Sequence, residues 1–310
     1  MTSSSTTSAP FDLSLGLDET HVLITGGCGL IGRVVVQAFL AADANVTVVD
    51  IISSKDAESI LDLQTPGLQY IPADITLAGE DNVTHDAQGN VKLYSITHAF
   101  TLAEDVFGTV SSCIALASLD LSVLNQSESL CDMDPSEWQK VFDVNLHGTF
   151  LTAQRWLQGI RSATQDPAKA AKLKNVSLVL MGSESGTFGV RTMPAYAAAK
   201  SAVQVGLLRS LAKDAPRIYS RGRVNAVAPG AVATERFEKE CRTYGERWRY
   251  EECEATVGLG RAVSAEDVAR GILGLASERW SGSVHGQCVA IDGGKVGSVV
   301  WSPGEVRGTA

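Results

Sequence analysis

The chain has 310 residues, 45% of them hydrophobic, with 29 glycines against 9 prolines, the make-up of a globular domain and not of a fibrous or low-complexity chain. Its net charge of -9 at neutral pH sets the summed field against nucleic acid or an anionic membrane as the main partner, and no apolar run is long enough to span a bilayer. Six scattered cysteines (Cys28, Cys113, Cys131, Cys241, Cys253, Cys288) and five histidines show no ligand-like spacing, so reduced thiols, no metal site and a cytoplasmic location are expected.

The N-terminal MTSSSTTSAP lacks the apolar core of a secretory signal, and residues 1–17 read as a flexible arm. His21–Thr25 has the continuous apolar character of a buried strand and runs straight into Gly26, Gly29 and Gly32, with Leu30 and Ile31 completing the turn. A helical pattern over 33–42 follows. Strand, glycine turn and helix in that order let a backbone approach a pyrophosphate and present it to the free N–H groups at a helix start. Asn45–Asp50 reads as the next strand, and Asp50 ends it where an acid hydrogen-bonds an adenosine ribose. A carboxylate there repels a 2′-phosphate, and Ile51 and Ile52 bring no arginine to receive one, which favours NAD over NADP.

A third strand over 68–71 leads to Asp74 and Ile75, at a carboxyl edge where ligands gather in open α/β sheets. The polar stretch 76–90 reads as an inserted surface loop. A helix over 95–107 and a fourth strand over 109–117 come next. A long helix then starts at Asp134, with Pro135 and Glu137 in its first turn, and extends to about residue 160 with Asn145 and His147 inside it. A polar linker over 164–174 precedes the strand Ser177–Met181. This alternation predicts one α/β domain over 18–294, a doubly wound parallel sheet of Rossmann type with about seven strands and helices on both faces.

The chemistry concentrates just after that strand. Pro194 opens an alanine-rich helix, so Tyr196 and Lys200, at i and i+4, share one face. An ammonium beside a phenol stabilises the phenolate and lowers a pKa that is otherwise about 10, and a nicotinamide cation lowers it further. Such a tyrosine exchanges a proton with an alcohol at neutral pH. A serine at the strand end, Ser183 or Ser185, can hydrogen-bond a substrate oxygen where charge develops. Alone, a Tyr-x-x-x-Lys spacing is a common exposed helical pair.

Taken together, the motifs between His21 and Gly294 resemble the short-chain dehydrogenases/reductases. They are Thr25-Gly-Gly-Cys-Gly-Leu-Ile-Gly32, Asp74-Ile75, Val144-Asn145-Leu146 with Gly148, and Gly182-Ser183-Glu-Ser-Gly186. Tyr196-Ala-Ala-Ala-Lys200, Arg223-Val-Asn225-Ala-Val-Ala-Pro229-Gly230-Ala-Val232-Ala-Thr234 and Gly286-Gln-Cys-Val-Ala-Ile-Asp292-Gly-Gly294 complete the set. The resemblance implies Tyr196 as general acid/base and Lys200 as the group that tunes it and binds the nicotinamide ribose. It implies Ser183, at the family's spacing, as the residue that polarises the carbonyl in preference to Ser185. Asn145 would kink its helix and hold a proton-relaying water. Cofactor contacts are implied at Gly26, Gly29, Leu30, Ile31, Gly32, Asp50, Asp74, Ile75 and Ala115, and again at Tyr196, Lys200, Pro229 and Gly230. The Pro229-Gly230 loop would hold the carboxamide through the Val232 backbone and the Thr234 hydroxyl. Two departures stand out. The glycine spacing is similar to that of the longer, epimerase-type branch, with Leu30 where the compact branch has glycine, and Ala115-Leu116-Ala117-Ser118 replaces its Asn-Asn-Ala-Gly.

Downstream, Val203, Gly206, Leu207 and Leu211 continue an apolar face toward Pro216. The resemblance makes this helix and the one from Asp134 the interface of a homodimer or homotetramer. Residues 235–260 are expected to form a substrate lid, with Phe237, Cys241, Tyr244 and Trp248 on one stripe and a hydrophobic or cyclic substrate beneath them. Ser264 starts a last helix with a capping-box pattern, a strand over 287–291 closes the sheet, and 295–310 form a tail whose Trp301 would dock near the mouth. The function implied is an NAD-dependent oxidoreductase acting on a secondary alcohol/ketone pair. Two alternatives stay open: an epimerase or dehydratase that uses tightly held NAD catalytically, resting only on the Gly26/Gly29/Gly32 spacing, and a non-enzymatic dinucleotide sensor, which would ordinarily have lost the catalytic side chains.

Overall fold

A computed structural model describes residues 12–89, 91–120, 123–127 and 129–301. Nine strands form one sheet: β1 His21–Thr25, β2 Asn45–Asp50, β3 Leu68–Asp74, β4 Val83–His85, β5 Val91–Ser95, β6 Ser112–Ala115, β7 Ser177–Met181, β8 Arg223–Pro229 and β9 Cys288–Ile291. Their order is β4-β5-β3-β2-β1-β6-β7-β8-β9. Every pairing is parallel except that of β4 with β5. Strands β1, β6, β7 and β8 are buried along their whole length, which is why β1 and β7 read as largely apolar runs and not as alternating ones, while β8 buries Arg223 and Asn225 with its apolar residues. The chain builds outward from β1 through β2 and β3, then crosses back to β6 on the other side. That reversal leaves a crevice at the carboxyl ends of β1 and β6, where open α/β sheets take their ligands.

The doubly wound sheet is the expected one, with two further strands, one from the stretch 76–90 read as a loop and one between it and the following helix. Val83–His85 and Val91–Ser95 form a hairpin, and β5 pairs with β3 through Ala73 with Tyr94 and Asp74 with Ser95. Of β5 only Leu93 and Ser95 are buried. The hairpin is held by backbone pairing to an open sheet edge, a force that leaves little trace in hydrophobic patterning.

Helices Ile96–Phe107, Thr149–Thr164 and Leu208–Ile218 cover one face of the sheet, burying Phe100, Trp156 and Ile160 against Leu178 and Leu180. Helices Gly32–Leu40 and Ala265–Ala276 cover the other with Val35, Phe39 and Ile272. Residues 12–17, assigned from sequence to a flexible arm, pack instead against the body. Leu17 is 1% exposed, the Leu15 carbonyl accepts from Ser277 Oγ at 2.6 Å, and Asp12 pairs with Arg279. Burial of Leu17 and Leu15 beside the second core accounts for this; residues 1–11 lie outside the described residues. No helix among the described residues is long and apolar enough to cross a membrane.

The long helix expected from Asp134 is not uniform. It is capped by Asp134 Oδ1, which accepts from the Ser136 N–H at 2.8 Å. Pro135–Phe142 is α-helical, Asp143–Gly148 widens into a π turn, and Thr149–Thr164 resumes the α form. The helix that carries Tyr196 behaves alike: Pro194–Ser201, a π turn over Ala202–Leu207, then Leu208–Ile218. Such widened turns recur where a helix must aim side chains at a site. Gly148 lets the turn approach Ile75 closely, since a Cβ would stand 2.6 Å from Ile75 Cδ1 and that side chain would have to shift.

Candidate active site

The glycine turn after β1 closes on itself. Gly26 has φ +71°, and a Cβ on it would lie 2.7 Å from the Ala117 Cα. On Gly32 a Cβ would stand 2.1 Å from the Gly26 carbonyl oxygen, so positions 26 and 32, the latter the first residue of helix Gly32–Leu40, can be only glycine. No side chain caps that helix; the Arg33 N–H donates to the Gly29 carbonyl and the Val34 and Val35 N–H groups to that of Ile31, so the backbone of the turn ahead of them is what faces an anion. Asp50 is fixed at the mouth of the turn: its Oδ2 accepts from the Cys28 N–H at 2.9 Å and its Oδ1 from the Ile51 N–H at 2.8 Å. Burial, aided by Asp50, pushes the Cys28 thiol up to about 12, so it stays protonated and inert.

A cavity of about 1710 Å³ runs from this turn across the carboxyl edge of the sheet. Gly26, Gly29, Leu30, Ile31, Gly32, Asp50, Asp74 and Ile75 line one end; Ser183, Tyr196, Pro229, Gly230, Val232 and Thr234 line the other. Three residues singled out from sequence stand behind the wall. Ala115 is buried within β6, and its successors Leu116 and Ala117 take the lining position. Asn145 is buried in the π turn and grips the loop after β6, accepting from the Leu119 N–H at 2.7 Å and donating to the Leu119 carbonyl at 2.9 Å. Lys200 is 2% exposed and donates to the Met181 carbonyl at 3.0 Å.

Tyr196 and Lys200 share a helix face as the spacing requires, with Nζ 5.6 Å from the centre of the phenol ring. The phenol, however, is not pre-activated by its neighbour. Burial drives the Tyr196 pKa well above its ordinary value; a hydrogen bond with Ser183 lowers it, while Asp120 and Glu184 raise it further. Burial brings Lys200 down to about 8, opposed by Asp120. Desolvation is the leading cause of both shifts, and the Lys200 ammonium is turned to the Met181 carbonyl.

Ser183 is held from two sides, and Gln204, one of its partners, is braced in turn. The Ser183 N–H donates to Gln204 Oε1 at 2.8 Å, its Oγ accepts from the Ser185 N–H at 3.1 Å, and Gln204 Nε2 donates to Thr187 Oγ1 at 3.0 Å. Gly182 and Gly186 leave room for that amide: Cβ atoms there would stand 2.4 and 2.7 Å from Gln204 Oε1. Ser185 thus supports Ser183 through its backbone and opens the short helix Ser185–Phe188. Gln204 was missed from sequence, although a lone amide four residues beyond Lys200 in an apolar stretch was a readable signal.

Comparison with known proteins is in keeping with this geometry. A family model described as enoyl-(acyl carrier protein) reductase matches residues 29–295. A relative named 2-(S)-hydroxypropyl-CoM dehydrogenase 3, from Xanthobacter autotrophicus, is 30% identical over 287 residues, 91% of this chain and 98% of that protein. A short chain dehydrogenase/reductase of Colletotrichum higginsianum is 28% identical over 285 residues, 91% of this chain and 95% of its own. The chain belongs to the short-chain dehydrogenase/reductase family. The crystal structure of gox2181, with TM-score 0.70 and 24% identity over 90% of this chain and 96% of that one, shares the fold.

In this short-chain dehydrogenase/reductase the segment after Thr234 folds over the cavity as Glu235–Tyr244, Glu246–Arg249 and a π turn over Tyr250–Glu254. Thr234 Oγ1 caps the first of these, accepting from the Phe237 N–H at 3.2 Å. The aromatic stripe divides. Phe237 and Trp248 line the cavity, Cys241 packs with Cys253 inside the segment's own small core, and Tyr244 is 54% exposed. Ser298, Val299 and Val300 of the tail add to the wall, while Trp301 is exposed and does not line it. Residues 302–310 lie outside the described residues. Among the described residues no group of three or more His, Cys, Asp or Glu is placed to hold a metal.

Proposed function

We propose that this protein interconverts a secondary alcohol and a ketone with a nicotinamide dinucleotide, NAD in preference to NADP, and that Tyr196 is the general acid/base. The observation that carries this is a single cavity with the glycine turn and Asp50 at one end and Ser183 with Tyr196 at the other. A dinucleotide fits the nucleotide end: the Gly26 and Gly32 backbone has no Cβ to hold a phosphate off, and the helix start beside it is uncapped. When bound, the dinucleotide supplies or accepts the hydride.

Everything else is done by side chains of this chain. Asp50, its carboxylate fixed by the Cys28 and Ile51 N–H groups, accepts from ribose hydroxyls and repels a 2′-phosphate. Ser183 donates to the substrate oxygen and so orients the carbonyl. Tyr196 gives its proton to that oxygen as the alcohol forms and takes it back in the reverse direction. Lys200 supplies a fixed positive charge beside the ring that offsets part of the cost of a buried phenolate. Asn145 braces the loop at Leu119, to which both ends of its amide are committed. The Xanthobacter relative is named as a dehydrogenase of a 2-hydroxypropyl group, itself a secondary alcohol.

Replacing Tyr196 by phenylalanine should abolish turnover across an alcohol and ketone panel while NADH still binds; substantial residual ketone reduction would overturn the assignment. We also infer a homo-oligomer closed through the helix Pro135–Phe142 and its continuation. There Trp138 stacks on Phe142 with ring centres 4.7 Å apart, and Phe150 is exposed one side of a surface groove. A monomeric mass by light scattering would exclude it.

A further inference from the structure

Beyond Ser183, the substrate end of the cavity holds a pair of charged side chains that no step above uses. Glu184 follows Ser183 directly, and its side chain is 14% exposed. Lys295, on the segment after β9, has a side chain only 4% exposed; its Nζ donates to the Glu252 carbonyl at 2.6 Å and stands 3.6 Å from Glu184 Oε1. Both line the cavity together with Ser183 and Tyr196.

The backbone on each side is pinned. The Glu184 N–H donates to the Pro229 carbonyl at 2.9 Å, and the Val296 N–H donates to the Thr256 carbonyl at 2.9 Å. The pair is therefore a built feature of the site and not a chance surface contact.

Its hydrogen bonding is incomplete. Glu184 Oε2 has no partner among the described residues, and the 3.6 Å separation from Lys295 is an ion pair without a hydrogen bond. An ammonium carries three N–H donors, and only one is spent, on Glu252. The terminal torsion of a glutamate is broad, so the unpartnered oxygen can turn toward the cavity without moving the backbone. Burial pushes Glu184 up to about 7 against the lowering effect of Lys295, as suits a carboxylate short of donors.

The chemistry left open selects what completes it. Hydrocarbon would leave a carboxylate and an ammonium both buried and unsatisfied. An anion would meet Glu184, with Glu252 and Asp292 close behind. A cation would meet Lys295. A hydroxyl serves both groups at once, donating to the carboxylate and accepting from the ammonium. Ser183 and Glu184 are consecutive and line the same cavity, so neighbouring residues hold the reacting oxygen and the added group.

We propose that Glu184 and Lys295 together bind a hydroxyl on the carbon next to the reacting one, so that the substrates are α-hydroxy ketones and the corresponding vicinal diols. This rests on the alcohol/ketone reading given above and narrows it.

The test is a matched pair, 2-hydroxycyclohexanone and cyclohexanone, reduced with NADH by the wild-type protein and by Glu184→Leu/Lys295→Met. Both charges are removed together because losing one alone would strand the other. The wild type should favour the hydroxy ketone in kcat/KM by about 10- to 100-fold, the worth of hydrogen bonds to charged groups. In the double variant the ratio should fall to within about threefold of unity whatever the absolute rates. Glu184→Gln, which keeps the shape, should lower the same ratio, so poor folding of the double variant cannot hide the answer. Equal use of both ketones by the wild type, or a preference that survives the substitutions, overturns the proposal. Calorimetric affinities of both ketones for the NADH-loaded protein separate the two claims. A binding preference that the variants lose supports the hydroxyl subsite even where neither ketone changes the nicotinamide absorbance, and that silence would count against the oxidoreductase reading instead.

Discussion

Replacing Gln204 by leucine should slow turnover by about 10- to 100-fold while leaving NADH affinity unchanged. Gln204 is 4% exposed and touches no part of the nucleotide end. Leucine fills nearly the same volume but removes the acceptor of the Ser183 N–H at 2.8 Å and the donor to Thr187 at 3.0 Å. Thr187 is exposed and can turn to water, whereas the Ser183 N–H is buried, so one donor is orphaned at a cost of about 1–3 kcal/mol. The loop can recover that energy by shifting Ser183 toward water, which misplaces the hydroxyl that must meet the substrate oxygen. The assay is kcat for ketone reduction at saturating NADH, with the NADH Kd measured alongside by fluorescence. Gln204→Glu retains an acceptor for the Ser183 N–H and should recover part of the loss, a rescue that a merely space-filling role would not predict. A leucine variant with kcat within twofold of wild type would refute the reasoning and leave the Ser185 N–H as the sole brace of the serine.

Asp50→Asn keeps the shape of the carboxylate that Cys28 and Ile51 hold but removes its charge. The ratio of kcat/KM for NADH over NADPH should fall by about 10-fold, and an unchanged ratio would sever Asp50 from cofactor choice. Gly32→Ala puts a Cβ 2.1 Å from the Gly26 carbonyl, so NADH should bind at least about 100-fold more weakly while far-UV dichroism is preserved; undiminished affinity would place the dinucleotide elsewhere. Burial raises Tyr196 and alcohol oxidation needs the phenolate, so kcat/KM for oxidation should climb with pH on a limb above neutrality, with ketone reduction falling in mirror image. Ser183→Ala removes the hydrogen bond that lowers the phenol and should move that limb higher; an oxidation plateau already reached below neutral pH would contradict the burial argument.

What could be foreseen follows the range of the force involved. The strands β1, β2 and β7 were legible to the residue because fully buried parallel strands are written as short apolar runs. The glycine turn was legible because a missing Cβ is a local requirement, visible at Gly26 and Gly32 without any partner. The hairpin β4–β5 was not, because an edge pairing asks little of side chains that stay exposed. The widened turns at Asn145 and Gln204 left the helical pattern intact on either side, so each continuous helix was expected where the chain inserts a π turn. Burial of Leu17 was passed over although Phe11, Leu13, Leu15 and Leu17 alternate with polar or small residues, because that run is short and borders the polar N-terminal stretch.

The two ends of the cavity differ in the same way. At the nucleotide end the backbone does the recognising, and three glycines with one aspartate, contiguous in two βα units, are enough to specify it. Substrate recognition, on the reading proposed above, depends instead on groups drawn from segments far apart in sequence, the Glu184 side chain after β7, the Glu252 carbonyl in the covering segment and the Lys295 side chain after β9. Each of these residues reads alone as an ordinary solvated charge, and only their burial against one another makes them expensive enough to demand a partner. A family resemblance carries the first end and the Tyr196–Lys200 pair because those are repeated motifs. It cannot carry the second, since fold and chemistry leave the choice of substrate to whichever charges the loops bring together.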